Sequence, residues 1–311
     1  MYDILVTSTS FIDTPGKHQE MLASKDLRLH YARGPLTENE MLAQIAQYDA
    51  LLCGDDALTE NVIRLGKENR LICISKYGVG LDKIDLQAAK KYNIPVTNCP
   101  GVNQVSVAEH FFGLLLCFLR NIHLEFNEVQ GKGTWKRMAG HEIFGKKMLI
   151  MGLGRIGSEI AKRASAFGLE LYAYDQVLSK ETMEAYSIQS VTNLEDVISE
   201  IDIISLNLPL TDYTKYIISA SLIQQAKKNL VIVNTARGEL VDQDAIIEAL
   251  TSEKIAGYIT DVLDIEPMPE NHPLRKLSKV LISPHIGSRT LDSVQRQGVM
   301  AVENLFNSLK L

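Results

Sequence analysis

The chain has 311 residues, 46% hydrophobic and 23% charged, with a formal net charge of −6. The length argues for two domains, and the composition for a globular protein with a real core. The acidic balance gives no overall attraction to nucleic acid or an anionic membrane. The longest apolar stretch, Phe111 to Leu119, is too short to span a bilayer, and the opening residues, Met1 to Val6, are not expected to act as a secretory leader.

In chain order, short apolar runs alternate with helical patterns. Early strand candidates are Ile4-Leu5-Val6, Leu27-Arg28-Leu29, Ala50-Leu51-Leu52 and Leu71-Ile72-Cys73-Ile74. Asn98-Cys99-Pro100-Gly101 reads as a crossing between domains. A long helix is expected from Val105 to about Val129, apolar on nearly every side early on, and so buried in a core or against a second subunit. Further strands follow at Met148 to Met151, Leu171 to Tyr174, Ile201 to Leu206, Leu230 to Val233 and Ile255 to Thr260, with a short run at Val280-Leu281-Ile282. A second crossing falls near Ser283 to Gly287, and one last helix, about Leu291 to Leu309, can return to the first domain. The regular alternation implies parallel sheets covered by helices, an α/β fold. The expected division is 1–98 with 289–311 as a smaller domain, and 99–288 as a domain inserted into it. Cys53, Cys73, Cys99 and Cys117 match no metal or redox spacing and read as buried thiols in a reducing cytoplasm; no metal is expected.

The most specific stretch is Gly152-Leu153-Gly154-Arg155-Ile156-Gly157. It lies between the apolar run at 148–151 and a helical pattern from Ser158 to Phe167, and Asp175 ends the next strand candidate, 18 residues past Gly157. Strand, glycine turn, helix, strand and carboxylate make a dinucleotide-binding fingerprint. The glycines let the backbone approach a pyrophosphate seated on the helix N-terminus, and Asp175 suits the ribose hydroxyls of NAD while repelling the 2′-phosphate of NADP.

Three later segments follow strand candidates: Asn234-Thr235-Ala236-Arg237-Gly238, Asp261 to Pro267, and Pro284-His285-Ile286-Gly287. In open parallel sheets, ligands bind beyond the C-terminal strand ends, so Arg237, Glu266 and His285 can converge on one cleft. A guanidinium grips a carboxylate bidentately, an imidazole gives or takes a hydroxyl proton, and a neighbouring carboxylate orients the ring. That set suits reduction of a 2-keto acid, with NAD as the hydride carrier. Among the other histidines, His110 lies in an apolar helix and reads as a satisfied interior residue.

On these segments the chain resembles the D-isomer-specific 2-hydroxyacid dehydrogenases, in particular the phosphoglycerate-dehydrogenase-like branch. The resemblance extends through Lys76-Tyr77-Gly78-Val79-Gly80-Leu81-Asp82, Asn103 to His110, and Leu206-Asn207-Leu208-Pro209-Leu210-Thr211. It implies two doubly wound, Rossmann-like parallel-sheet domains, the NAD domain inserted into a flavodoxin-like substrate domain, with a cleft that closes and a homodimer built on the NAD domains. It implies that Arg237 binds the substrate carboxylate, that His285 is the acid/base, and that Glu266 supports it. By the same resemblance Arg155 and Ile156 contact the pyrophosphate. Asn207, Pro209, Thr235, Ala236, Arg237, Asp261, His285 and Gly287 lie along the cofactor. Lys76, Tyr77, Gly78, Val79 and Gly80 line the substrate site, with amides near Val79 and Gly80 holding its carboxylate.

The chain departs from that branch in two places. Cys53-Gly54-Asp55-Asp56-Ala57-Leu58-Thr59 stands where phosphate-binding relatives carry basic residues, so two carboxylates are expected to oppose a phosphate. Asn207 replaces a His common before that Pro. The expected activity is an NAD-dependent D-2-hydroxyacid dehydrogenase, D-3-phosphoglycerate dehydrogenase-like as the best single label. The alternatives are a glyoxylate/hydroxypyruvate reductase and, from another class, an NAD-sensing corepressor-like binding protein.

Overall fold

Every strand in the computed structural model, which describes residues 1–311, is parallel to its neighbours. The chain divides into two units, residues 1–103 with 289–311, and residues 104–288. The first unit holds β1 (Tyr2–Val6), β2 (Leu27–Tyr31), β3 (Ala50–Cys53), β4 (Cys73–Lys76) and β5 (Val96–Thr97), in the order β2-β1-β3-β4-β5. That is the flavodoxin-like order. Strands β3 and β4 are buried at every position, which is why β3 reads as a continuous apolar run rather than an alternating one, while β4 also buries Ser75 and Lys76.

The helix Leu291–Leu309 completes this unit from the other end of the chain. Thr290 caps it, its hydroxyl accepting from the Ser293 amide at 3.1 Å. Its buried residues Ala301, Val302, Leu305, Phe306 and Leu309 share one cluster with Ile4, Val6, Phe11, Leu52 and Cys73. The Ser75 hydroxyl on β4 donates to the Ala301 carbonyl at 2.7 Å.

The second unit holds β6 (Lys147–Met151), β7 (Glu170–Tyr174), β8 (Gln189–Ser190), β9 (Ile203–Leu206), β10 (Val231–Asn234), β11 (Gly257–Thr260) and β12 (Val280–Ile282). Their order is β12-β11-β10-β9-β6-β7-β8. The chain reverses its winding direction between β6 and β9, the crevice where open α/β sheets take ligands. Separate apolar clusters cover the two faces, one built on Leu149, Met151 and Ile204, the other on Phe111, Ile150 and Ile160.

The single long helix expected from 105 to 129 is two helices. Gln104–Leu119 and the segment from Ile122 to Gly131 meet at a 67° bend. Asn121 adopts a left-handed φ of +54°. The Leu119 carbonyl accepts from the His141 amide at 2.8 Å, and the Asn121 side chain donates to the Ala139 carbonyl at 2.9 Å. A returning segment thus takes over a carbonyl that a continuing helix would have used. No single helix is long and apolar enough to cross a membrane. Strand β4 begins two residues later than expected, which puts Lys76 at its C-terminal end. The two-residue strands β5 and β8 have too little apolar patterning to be read from sequence. All four cysteines are unpaired; burial pushes the Cys53 and Cys73 thiols up to about 12, so neither is a ready nucleophile.

Candidate active site

The glycine turn leaves β6 at the switch point. Gly152 has φ +96°, and a Cβ on Gly157 would lie 2.0 Å from the Gly152 carbonyl oxygen, so only glycine lets the helix start so close to the turn. A Cβ on Gly154 would meet nothing within 4 Å. Above it the backbone is open, and the helix Arg155–Ala166 begins there with no side-chain cap. Uncapped amides facing open space are what a diphosphate needs. Arg155 is exposed and Ile156 half-buried beside them. The Asp175 carboxylate accepts from the Leu153 amide at 2.7 Å and the Val177 amide at 3.3 Å, so this acid also braces the turn.

Two further buried atoms at neighbouring strand ends lack partners: Asn207 Oδ1 after β9 and Thr235 Oγ1 after β10. An unsatisfied buried oxygen costs about 1–3 kcal/mol. These two, with the open turn, fit a bound NAD, which Gly152 to Gly157, Asp175, Asn207 and Thr235 would hold. Pro209 is exposed past β9, and Ala236 is half-buried past β10.

Arg237 follows β10 in a turn built by Asn234, a fully buried residue. The Asn234 side chain donates to the Arg237 carbonyl at 2.8 Å and accepts from the Ala236 amide at 3.0 Å. A Cβ on Gly238 would sit 2.0 Å from the Leu263 carbonyl carbon, so the turn packs directly on the segment that follows β11. In that segment Glu266 accepts from the Leu263 amide at 2.9 Å through one oxygen. Its other oxygen meets His285 Nδ1 at 2.8 Å. The two side chains are about one-third exposed, at 34% and 37%, so the pair reaches solvent. His285 is held at φ +53°, a left-handed conformation unusual outside glycine, with a strain of about 1 kcal/mol or more. Glu266 thus fixes the ring through Nδ1.

Asp261 is 2% exposed at the end of β11. It accepts from the Gly287 amide at 2.7 Å, the Ile286 amide at 3.0 Å and the Ser283 hydroxyl at 2.6 Å, and lies 3.2 Å from His110 Nε2. Burial pushes its carboxyl up, but the hydrogen bonds from His110, Ser283 and Ile286 outweigh that and hold it below the usual range. His110 is therefore a satisfied, partly buried residue. Its pairing with Ser283 and Asp261 was not visible in the sequence; the one signal was an imidazole in an apolar helix, which needs a polar partner.

In the first unit, Lys76 ends β4 with its side chain 4% exposed. Its ammonium donates to Asp55 at 2.8 Å and to the Tyr77 carbonyl at 3.4 Å. The Tyr77 ring is buried in the core, edge-on to Phe11. Gly78 has φ +124°. The Gly78 and Val79 carbonyls accept from Cys99 and Asn98. The amides of Val79 and Gly80 form no hydrogen bond within the chain, the kind of open amide pair that binds an anion. The two carboxylates expected to oppose a phosphate do not act together. Asp56 is 1% exposed and accepts from the Thr7 hydroxyl and the Leu36 and Gly54 amides; burial raises its carboxyl above the ordinary range. Its place is inside the loop, and only Asp55 is half-exposed.

Residues 112–287 match the family model described as "D-isomer specific 2-hydroxyacid dehydrogenase, NAD binding domain". The chain belongs to the D-isomer specific 2-hydroxyacid dehydrogenase family. These are NAD-dependent oxidoreductases acting on CH–OH groups. The chain is 37% identical over 278 residues to a D-3-phosphoglycerate dehydrogenase of Methanocaldococcus jannaschii, covering 88% of this chain but only 52% of that protein, about half its length. It is 36% identical to a glyoxylate reductase of Thermofilum pendens, over 92% of this chain and 86% of that one. Its fold matches a D-lactate dehydrogenase of Aquifex aeolicus, solved with NAD and lactic acid, at a TM-score of 0.86 and 28% identity, over 99% of this chain and 95% of that one.

Proposed function

We propose that this family member is an NAD-dependent reductase of short, non-phosphorylated 2-keto acids of the glyoxylate or hydroxypyruvate kind, or the corresponding D-2-hydroxyacid dehydrogenase in reverse. The observation that carries the class is the Glu266–His285 pair at 2.8 Å, beside the strand-end turn that presents Arg237. When bound, NAD supplies or accepts the hydride. Arg237 grips the substrate carboxylate and draws electron density from the adjacent carbonyl. In reduction His285 gives its Nε2 proton to the forming hydroxyl oxygen, while Glu266 stabilises the imidazolium beforehand through Nδ1. Within the first unit's own loop, the open amides of Val79 and Gly80 suit a carboxylate.

The substrate reading rests on Asp55. Its ion pair with Lys76 borders the Gly78 loop and offsets the one cation there that a phosphate could use. Phosphoglycerate oxidation is the second reading, favoured by the 37% identity to the enzyme of that name. Following NADH and NADPH oxidation with glyoxylate, hydroxypyruvate, pyruvate and phosphohydroxypyruvate separates the two. We expect turnover with NADH and the first two acids. In Asp55→Asn, kcat/KM for phosphohydroxypyruvate relative to hydroxypyruvate is expected to rise about tenfold, because Lys76 is unmasked. An unchanged ratio means that Asp55 does not face the substrate. Silence across the panel, with NADH still bound, favours a nucleotide-sensing role.

We further infer a homodimer through the 104–288 unit. Ile122, Phe126, Trp135 and Phe144 are 53%, 60%, 76% and 78% exposed along one segment, a concentration of apolar surface that suits burial against a second copy. Light scattering is expected to give twice the chain mass; a monomer at micromolar concentration contradicts it.

A further inference from the structure

We propose that His110 and Ser283 are positioning residues for His285, acting through the carboxylate of Asp261. The inference rests on His285 as the acid/base.

Three separate stretches of chain meet at this carboxylate. His110 comes from the helix Gln104–Leu119, Asp261 from the end of β11, and Ser283 from just past β12. Ser283 donates to Asp261 Oδ1 at 2.6 Å, so a lone pair on its oxygen remains to accept from His110 Nε2 at 3.0 Å. His110 Nε2 also lies 3.2 Å from the same carboxylate oxygen. That arrangement requires the proton on Nε2 and places one N–H between two acceptors. The carboxylate is then fixed, and both of its oxygens are committed to the loop that carries His285. Oδ1 takes the Ile286 amide and Oδ2 the Gly287 amide, while the Asp261 carbonyl takes the amide of His285 itself at 2.8 Å.

These bonds matter because His285 sits at φ +53°, a conformation its own side chain disfavours. Neighbouring bonds must impose it. The three amides of residues 285–287 all reach Asp261, that of His285 being shared with the Ser283 carbonyl at 3.1 Å, and Asp261 is fixed by His110 and Ser283. Without the clamp the carboxylate can rotate, the turn can relax toward a commoner backbone conformation, and the imidazole moves relative to its substrate. A misplacement of about 1 Å is enough to cost a catalytic group much of its effect. His110 itself touches no reacting atom in this scheme.

The test compares His110→Phe, which keeps a ring but removes the donor, with His110→Gln, whose amide nitrogen can donate from a similar position. His285→Asn is measured in parallel. In His110→Phe we expect kcat to fall about tenfold, with the Kd for NADH and the melting midpoint little changed. In His110→Gln we expect kcat within about threefold of the parent. If His110→Phe does not fold, Ser283→Ala removes the other clamp and is expected to lose kcat similarly. The proposal is overturned if His110→Phe keeps the parent kcat, if both His110 variants lose it equally, or if the loss follows the melting midpoint or the fraction of active enzyme. If His285→Asn keeps the parent kcat, the underlying assignment of the acid/base has failed instead, which is a different result.

Discussion

Arg237→Ala is expected to lower kcat/KM by about 10²–10³-fold, or about 2.7–4 kcal/mol of transition-state stabilisation. On the proposed role the loss arises because a guanidinium can meet a carboxylate through two parallel hydrogen bonds, a fork that alanine removes. The fold should survive. The turn around residue 237 is held by the Asn234 side chain bonding to backbone groups, and these bonds do not involve the arginine side chain. Arg237→Lys is expected to recover only part of the loss, since an ammonium is a point charge without the planar fork. Parent-level turnover in the alanine variant, at an unchanged melting midpoint, would remove Arg237 from the mechanism.

His285→Asn is expected to lower kcat by about 10²–10⁴-fold, the usual contribution of a placed acid/base. Asparagine is chosen because it tolerates the left-handed φ of +53° at this position, so the loop keeps its shape while the titrating ring is lost. Binding of NADH, followed by its fluorescence, should persist, because the glycine turn expected to carry that contact is left intact. Glu266→Gln should lose less, since a neutral amide still bonds the Nδ1 side of the ring but no longer stabilises its charged form. A His285→Asn enzyme that turns over normally would point to another proton donor.

The parallel strands were legible because burial on both faces leaves unbroken apolar runs; Ile4-Leu5-Val6 and Leu51-Leu52 announce β1 and β3 without reference to anything distant. The glycine turn was legible for a similar local reason: backbone approach demands missing side chains at fixed spacing. The break after Leu119 was not, since it depends on residues 139–141 arriving to satisfy a carbonyl, a contact twenty residues away in sequence. The opposite fates of Asp55 and Asp56 were hidden as well. The two carboxylates are adjacent in sequence, yet strand-end geometry turns one inward to Thr7 and Leu36 and the other outward to Lys76. Composition suggested their charge, and only the tertiary structure shows where that charge is spent.

The first unit takes its last helix from the far end of the chain, and this has a consequence for how the protein is made. Strands β1 to β5 leave the ribosome before that helix, so the face built on Ile4, Val6, Leu52 and Cys73 is covered only in part, by residues such as Phe11 and Leu22, until Ala301, Val302 and Leu305 have been synthesised. At about 5–20 residues per second, the roughly 200 residues in between take about 10–40 s. The interposed 104–288 unit, whose own strands are complete by Ile282, can therefore close its core while the earlier-made sheet is still waiting. During synthesis the order of completion thus reverses the order of the sequence, and the nascent first unit spends that interval with its apolar face only partly covered.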